Sequence, residues 1–516
     1  MVFSSSVFLL AFFPIVLLLY FILPFRAYRN ILLLVASLIF YAWGEPVYVV
    51  LMLISIIFNW GFAYCIGKKK IHPKLLLILD LIANLAILCF FKYEGFLAEN
   101  INFLLGTSIP DLELPLPIGI SFYTLQALSY VIDVYRGQVE AQKNPFYLGM
   151  YIAMFPQLVA GPIVRYSTIE DQILNRKENV RDFCAGARLF VIGLGKKVLL
   201  ANIVAIVATK MLEMGGQEIG ALGAWIGLLA FTFQLFFDFA GYSDMAIGLG
   251  KMFGFQYLRN FNYPYISRSI TEFWRRWHIS LSSFFRDYVY ISLGGNRVKQ
   301  PRWIFNLSVV WILTGVWHGA AWNYILWGLY YLAILLLEKF VWGKALKSLP
   351  IILQHLYAIL IFMFGWLLFW IEDMGQMWIY FQAMFGVFGI TGTSTLWELT
   401  IWEYWPVFIV CIFASTPIIP WLRAKLVAWA SGTKLMDFWS KDLPGEKTLE
   451  TSNLCDYDFY TNEIINSASF SSVYKYRLHV FNLILLLVDI ALLVILVLAA
   501  CSVISGSFNP FIYFRF

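Results

Sequence analysis

Apolar residues along this chain gather in long blocks instead of alternating with polar ones. The blocks lie near 7–24, 30–43, 47–66, 75–91, 115–132, 146–164, 183–212, 218–250, 303–342, 351–371, 376–390, 402–420 and 478–504. A bilayer core about 30 Å thick is crossed by about 20 residues of helix, and a helix satisfies its own backbone where no water can. The pattern predicts an all-α polytopic membrane protein with about 11–12 transmembrane helices. The shorter blocks fit re-entrant or interfacial helices, and the longest must bend or cross twice. No fixed repeat and no pair of inverted halves shows, so 1–516 reads as a single polytopic domain.

Three polar interruptions carry candidate chemistry. The block 303–342 would make a straight helix of about 60 Å, twice the hydrocarbon thickness. It must break, and Thr314–Asn323 is the place, because Gly315, Gly319, Ala320 and Ala321 admit a close neighbour or a ligand. His318 follows Arg302 by 16 residues, or about 24 Å of helix. An ionisable group at that depth is costly and normally faces a water-filled or protein-lined path. It reads as a general base or proton relay; the structural alternative is a packed histidine bonded to a carbonyl or to Thr314.

The second interruption is Ser269–Tyr290. Ser269-x-x-Glu272 is a capping-box start. On a helical wheel Phe273, Trp274, Trp277, Leu281, Phe284, Phe285 and Tyr288 share one arc, while Glu272, Arg275, Arg276, Ser280, Arg286 and Asp287 lie opposite. This predicts one interfacial helix, apolar side to the membrane and basic side to the cytoplasm, with Glu272 and Arg276 paired at i,i+4. His278 sits at the edge of the apolar arc, either as a boundary residue or as a polar group turned into a protein-lined cavity. The third interruption holds Asp238 and Tyr242 on one helical face, followed by Asp244. A carboxylate there is either functional or part of a hydrogen-bond network with an Arg or His. Gly241-x-Ser243 lacks the last glycine of a nucleophile elbow.

Composition agrees with the pattern. Hydrophobic residues make up 61% of the chain and charged residues 13%, which excludes a water-soluble enzyme as a first reading. The net charge is +6, and 251–302 alone holds nine basic residues against Glu272 and Asp287. Between spans, a block of that kind is better explained by the positive-inside rule, or by a polyanionic ligand, than by nucleic acid. Arg26, Arg29, Lys68–Lys70 and Lys74 extend the rule. They place 25–29, 67–74 and 251–302 in the cytoplasm, with the N-terminus and the 44–46 hairpin outside. No basic stretch precedes the first block, which reads as a retained span and not a cleaved leader. Residues 431–476 form a polar loop, and Asp456-x-Asp458 within it reads as solvated, although it looks like a glycosyltransferase metal dyad. The six cysteines read as free and mostly buried. The five histidines show no ligand spacing, so neither a metal site nor a bound cofactor is expected.

Several stretches together resemble the membrane-bound O-acyltransferase family, and within it the bacterial alginate O-acetylation branch. They are Phe273-Trp-Arg-Arg-Trp-His278, Trp317-His318-Gly319, Phe237-Asp-Phe-Ala-Gly-Tyr-Ser-Asp244, Phe155-Pro-Gln-Leu-Val-Ala-Gly-Pro-Ile163 and Asn509–Phe516. The resemblance implies a helix bundle around a central tunnel, with the catalytic segment at about 231–342. It puts the family's invariant histidine on His318 and its second, more variable position on His278. It implies acetyl-CoA or another acyl thioester as donor from the cytoplasm, with no bound cofactor. The acceptor would be a hydroxyl of an exported or cell-wall polysaccharide, with an extracytoplasmic partner often completing the transfer, and the location the inner membrane. Acyl transfer needs a base and an oxyanion donor. His318 is expected to be the base and His278 to assist. Trp274, Arg275, Arg276, Trp277, Asp238, Tyr242, Asp244, Trp317 and Asn323 are expected to bind the donor or line the tunnel, with Arg286 near the donor phosphate. The competing reading is a proton-coupled transporter or flippase with His318 and Asp238 as relays.

Overall fold

The computed structural model describes residues 1–69, 72–159, 161–431 and 472–506. Among them every regular element is a helix. Among the described residues nine helices are long and apolar enough to cross a membrane, and Phe8–Ile22 is a shorter apolar helix. Several apolar blocks instead become core helices too short to span. The block 115–132 becomes Ile120–Arg136, a 17-residue helix buried over nearly its whole length. The block 146–164 becomes the short helices Pro145–Ala153 and Phe155–Leu158, also buried. A helix that is apolar on all sides belongs either in lipid or in a protein interior, and hydropathy alone does not separate the two.

Two long helices form the centre. Val180–Met214 packs antiparallel to Gly216–Met252. Gly186 and Gly193 are seven residues apart, as are Gly241 and Gly248, and the pairs face each other. A Cβ on Gly186 would lie 2.5 Å from the Gly248 carbonyl oxygen, and one on Gly193 2.5 Å from that of Gly241. Only hydrogen at these positions lets the backbones touch. At the crossing, the first helix passes through a π-helical turn, Lys196–Ala201. That turn brings two successive lysines to the partner helix: Lys197 to Asp238 and Lys196 to Asp244, each at 2.7 Å.

The ends of the helices sort by charge. Glu178 accepts from Arg26 and Tyr20 and pairs with Arg29, while Arg176 reaches the Phe253 carbonyl. Arg136 bonds Ser292, and Arg165 pairs with Asp287. These contacts gather the loops that the positive-inside rule assigns to the cytoplasm. At the opposite ends, a Cβ on Gly44 would lie 3.1 Å from the Met1 nitrogen, and Glu45 meets the backbone of Ile118.

The cysteines depart from expectation. Cys411 is buried, but Cys65, Cys89, Cys184 and Cys501 are exposed on the helix surfaces. A thiol is apolar enough to face lipid, so an apolar block does not imply a buried sulfur. Cys455, Asp456, Asp458 and nearly all of the 431–476 loop lie outside the described residues, as does Asn509–Phe516.

Candidate active site

The segment expected as one interfacial helix is broken and buried. Ser269 caps its start, accepting from the Glu272 amide at 3.1 Å, but the Glu272 carboxylate reaches back past Ser269 to the Arg268 amide, one residue beyond a capping box. Helix Ile270–Arg276 then stops. Trp277 is extended, His278 takes a left-handed conformation (φ 45°, ψ 54°), and Ile279–Phe284 starts a second helix leading into the π-helical turn Phe285–Tyr290. Non-glycine residues hold a positive φ only where their surroundings compensate the strain. Here the Asn262 amide donates to the Arg276 carbonyl, and the Ile279 amide to that of Asn260, both at 2.9 Å. The N-terminus of the first helix is held by Glu338, which accepts from the Ile270 and Thr271 amides at 2.6 and 2.9 Å. Both predicted faces are inside: Phe273, Trp277 and Leu281 are buried, but so are Arg276 and Ser280. The Glu272–Arg276 pair forms as expected, at 2.8 Å.

The break sets the orientation of His278. Its Nδ1 lies 3.2 Å from Asn260 Oδ1, which also accepts from the Ser280 amide and hydroxyl, while Asn260 Nδ2 donates to Ser243 Oγ at 3.1 Å. An amide oxygen only accepts, so this network assigns the proton to Nδ1 and leaves the Nε2 lone pair outward. Nε2 is buried and has no protein partner. Burial pushes the imidazole down to about 3, so it is neutral at physiological pH.

His318 arrives from the other direction. It is the last residue of helix Gln300–His318, and Trp322–Leu337 begins after a three-residue turn, so the break falls within Thr314–Asn323 as the sequence predicts. Gly315 and Gly328 let the two helices touch, since a Cβ on either would lie 2.5 Å from a carbonyl oxygen of the other helix. Gly319 lies against the Tyr324 ring, 2.2 Å from where its Cβ would be. The His318 ring is boxed by Trp317, Trp327 and Phe369, with centroids 5.0, 5.0 and 5.2 Å away. Its Nδ1 is buried without a protein partner. Thr314 instead donates to the Val310 carbonyl, so the structural alternative with Thr314 is not what forms. Trp317 stands between the imidazoles, its centroid 6.3 Å from that of His278, and its indole N–H also has no partner.

A narrow cavity of about 30 Å³, room for about one water, reaches His318. Its wall includes Lys92, Gly119, Ser121, Phe122, Val159 and Trp317. Gly119 has φ 76°, and a Cβ there would lie 2.8 Å from the Leu158 carbonyl oxygen, so the wall can follow this path only with glycine. Ile118, also in the wall, is the residue whose backbone meets Glu45. The cavity therefore lies toward the bundle end opposite the basic loops.

The remaining predicted residues divide clearly. Trp274 packs behind the site against Trp311, Trp327 and Tyr331. Trp277 packs against Phe261 and Trp366. Asp238, Tyr242, Asp244, Arg276 and Asn323 do not line the cavity. Asp238 and Asp244 belong to the ion pairs of the central helices, Tyr242 stacks on Phe3 at 4.4 Å, and Asn323 donates to the Leu368 carbonyl. Arg275 is exposed, and Arg286 pairs with Asp287. Among the described residues no three His, Cys, Asp or Glu side chains gather as metal ligands. Asn260, Lys92 and Glu338 were missed. Lys92 had a signal, a lone cation at the end of the apolar block 75–91; nothing in the local pattern marks Asn260.

Similar proteins accord with this arrangement. The probable alginate O-acetylase of Azotobacter vinelandii is 36% identical over the full length of both chains. That of Pseudomonas aeruginosa is 42% identical over 77% of each chain. The peptidoglycan O-acetyltransferase of Helicobacter pylori is 36% identical over 76% of this chain and 81% of its own. The model of the membrane-bound O-acyltransferase family matches residues 74–371, which hold Lys92, Asn260, His278 and His318 alike. With its multi-pass helical architecture and matching sequence, this chain belongs to the membrane-bound O-acyltransferase family, an enzyme that transfers acyl groups to hydroxyls.

Proposed function

We propose that the enzyme moves an acetyl group from a cytoplasmic thioester, acetyl-CoA or an acyl carrier, to a hydroxyl of an exported or cell-wall polysaccharide, or to an extracytoplasmic partner that completes the transfer. The membrane would be the inner membrane. The observation that carries this reading is the cavity that ends on His318 at the bundle end opposite the basic loops. Donor and acceptor then approach the same imidazoles from opposite sides. His318 takes the proton of the acceptor hydroxyl as its oxygen bonds the thioester carbonyl carbon; the carbon–sulfur bond then breaks, and the proton leaves with the thiolate. His278, fixed by Asn260 with its Nε2 lone pair outward, orients the hydroxyl or the departing thiol. The Trp317 indole N–H, unpartnered beside both rings, is the nearest donor for the oxyanion. Arg275 and Arg286 lie where a donor phosphate would approach.

The test is release of free CoA from acetyl-CoA by the purified protein, with and without hydroxyl acceptors, wild type beside His318→Ala. His318→Ala is expected to fold, to lose at least about a hundredfold in rate, and to keep its oligomeric profile in detergent. A folded His318→Ala protein with near wild-type turnover would sink the assignment of the base.

A further inference from the structure

A helix leaves its last four carbonyls without intrahelical donors, and in a membrane no water is at hand to replace them. Helix Gln300–His318 ends on the residue read as the base, so those carbonyls fix the position of its imidazole. Two consecutive residues of another helix, Pro73–Leu105, supply the missing donors. The Tyr93 hydroxyl donates to the Val316 carbonyl. The Lys92 ammonium donates to the carbonyls of Trp317 and His318, at 2.5 and 3.2 Å, and its third proton points to Ser121 Oγ at 3.4 Å. The ammonium also lies 5.8 Å from the centroid of the Trp317 ring. Three successive carbonyls at the end of the catalytic helix are thus held from one side.

We infer that Lys92 and Tyr93 form a clamp that positions His318, with the ammonium of Lys92 as its main element. The arrangement suits that task in three ways. A cation at a helix C-terminus meets the negative end of the dipole. A lysine offers three donors from one point, and three oxygens surround it here. Lys92 also forms part of the cavity wall, so the clamp joins the acceptor side of the site directly to the backbone of the base. The inference rests on the proposed role of His318, and it makes both residues positioning groups rather than catalytic ones.

The experiment compares Lys92→Met, Lys92→Arg and Tyr93→Phe with wild type in steady-state acetyl-CoA turnover, with detergent melting curves alongside. Small displacements of a catalytic group can cost about a hundredfold. Lys92→Met is expected to lower kcat by about tenfold to a hundredfold with donor KM within about twofold. Lys92→Arg should recover most of that loss, because a guanidinium can still donate to both carbonyls. Tyr93→Phe should lower kcat by a smaller factor. Lys74→Met, an exposed lysine at the start of the same helix, should behave as wild type. The clamp is overturned if Lys92→Met keeps wild-type kcat, or if its loss appears in donor KM with kcat unchanged. Should Lys92→Met fail to insert, Tyr93→Phe decides: a folded protein with lowered kcat supports the clamp, and wild-type kcat rejects it. Failure of the His318 assignment is read separately, on His318→Ala.

Discussion

The central helix pair and the histidine site are both buried and both hold polar groups, yet they treat those groups in opposite ways. Between Val180–Met214 and Gly216–Met252, buried Lys197 pairs with buried Asp238, and part-buried Lys196 with Asp244. Glycine contacts at Gly186, Gly193, Gly241 and Gly248 bring the backbones together around them. At the site, His278 Nε2, His318 Nδ1 and the Trp317 N–H are buried with no protein partner. Leaving a buried polar atom unpaired costs about 1–3 kcal/mol, so three of them gathered beside one cavity call for an explanation. The charges at the helix crossing meet each other, whereas these three atoms cluster beside one cavity without a protein partner. Asn260 fixes the His278 ring through Nδ1, and Lys92 holds the His318 carbonyl.

That contrast can be broken from the scaffold side first. Lys197→Met removes the 2.7 Å ion-pair partner of buried Asp238, which should cost about 3–5 kcal/mol and lower the melting temperature sharply. Lys197→Met combined with Asp238→Leu should regain most of the loss, since exchanging a buried pair for apolar side chains is often neutral. A double variant as unstable as the single one would show that the pair does more than neutralise itself.

At the site, the balance of effects should reverse. Asn260→Ala removes the partner of His278 Nδ1 and of Ser280. It should cost about 1–3 kcal/mol of stability, but its main signature should be a fall in kcat of about tenfold or more through loss of tautomer and ring orientation. Equal losses of stability at Asn260 and Lys197, with kcat untouched, would erase the distinction between site and scaffold.

The smallest effect belongs to the helix ends that carry the basic loops. Burial opposes ionisation of Glu178, and the hydrogen bonds from Arg26 and Tyr20 outweigh it, holding the carboxyl at about 2. Its folded value lies below its unfolded one of 4.5. The stabilisation is therefore complete above the unfolded value and is lost as pH falls through that value toward 2. The melting temperature should drop between neutral pH and pH 3, and by less in Glu178→Gln. Identical pH dependence in the two proteins would assign the acid limb to other carboxylates.

Much of the candidate site was legible because membrane burial makes polar residues conspicuous. His318 stood out as an ionisable group deep in an apolar block, and the forced break of 303–342 located the turn that follows it. The basic loops 25–29 and 251–302 were expected to share one side, and the contacts of Arg26, Arg176 and Arg165 bring loops of that set together. Hydropathy and periodicity determined this much, because they record what each residue prefers to leave or to meet. The tertiary structure decided which apolar blocks face lipid and which face protein, as in Ile120–Arg136, since both environments are equally apolar. It also decided that Ser269–Tyr290 folds inward and breaks at His278. A wheel projection assumes a continuous helix, and the contacts that interrupt this one come from Asn260, Asn262 and Glu338, far away along the chain or without local pattern. Asp238 shows the same limit from the other side: the sequence marked it as costly, and only its distance to Lys197 made it scaffold.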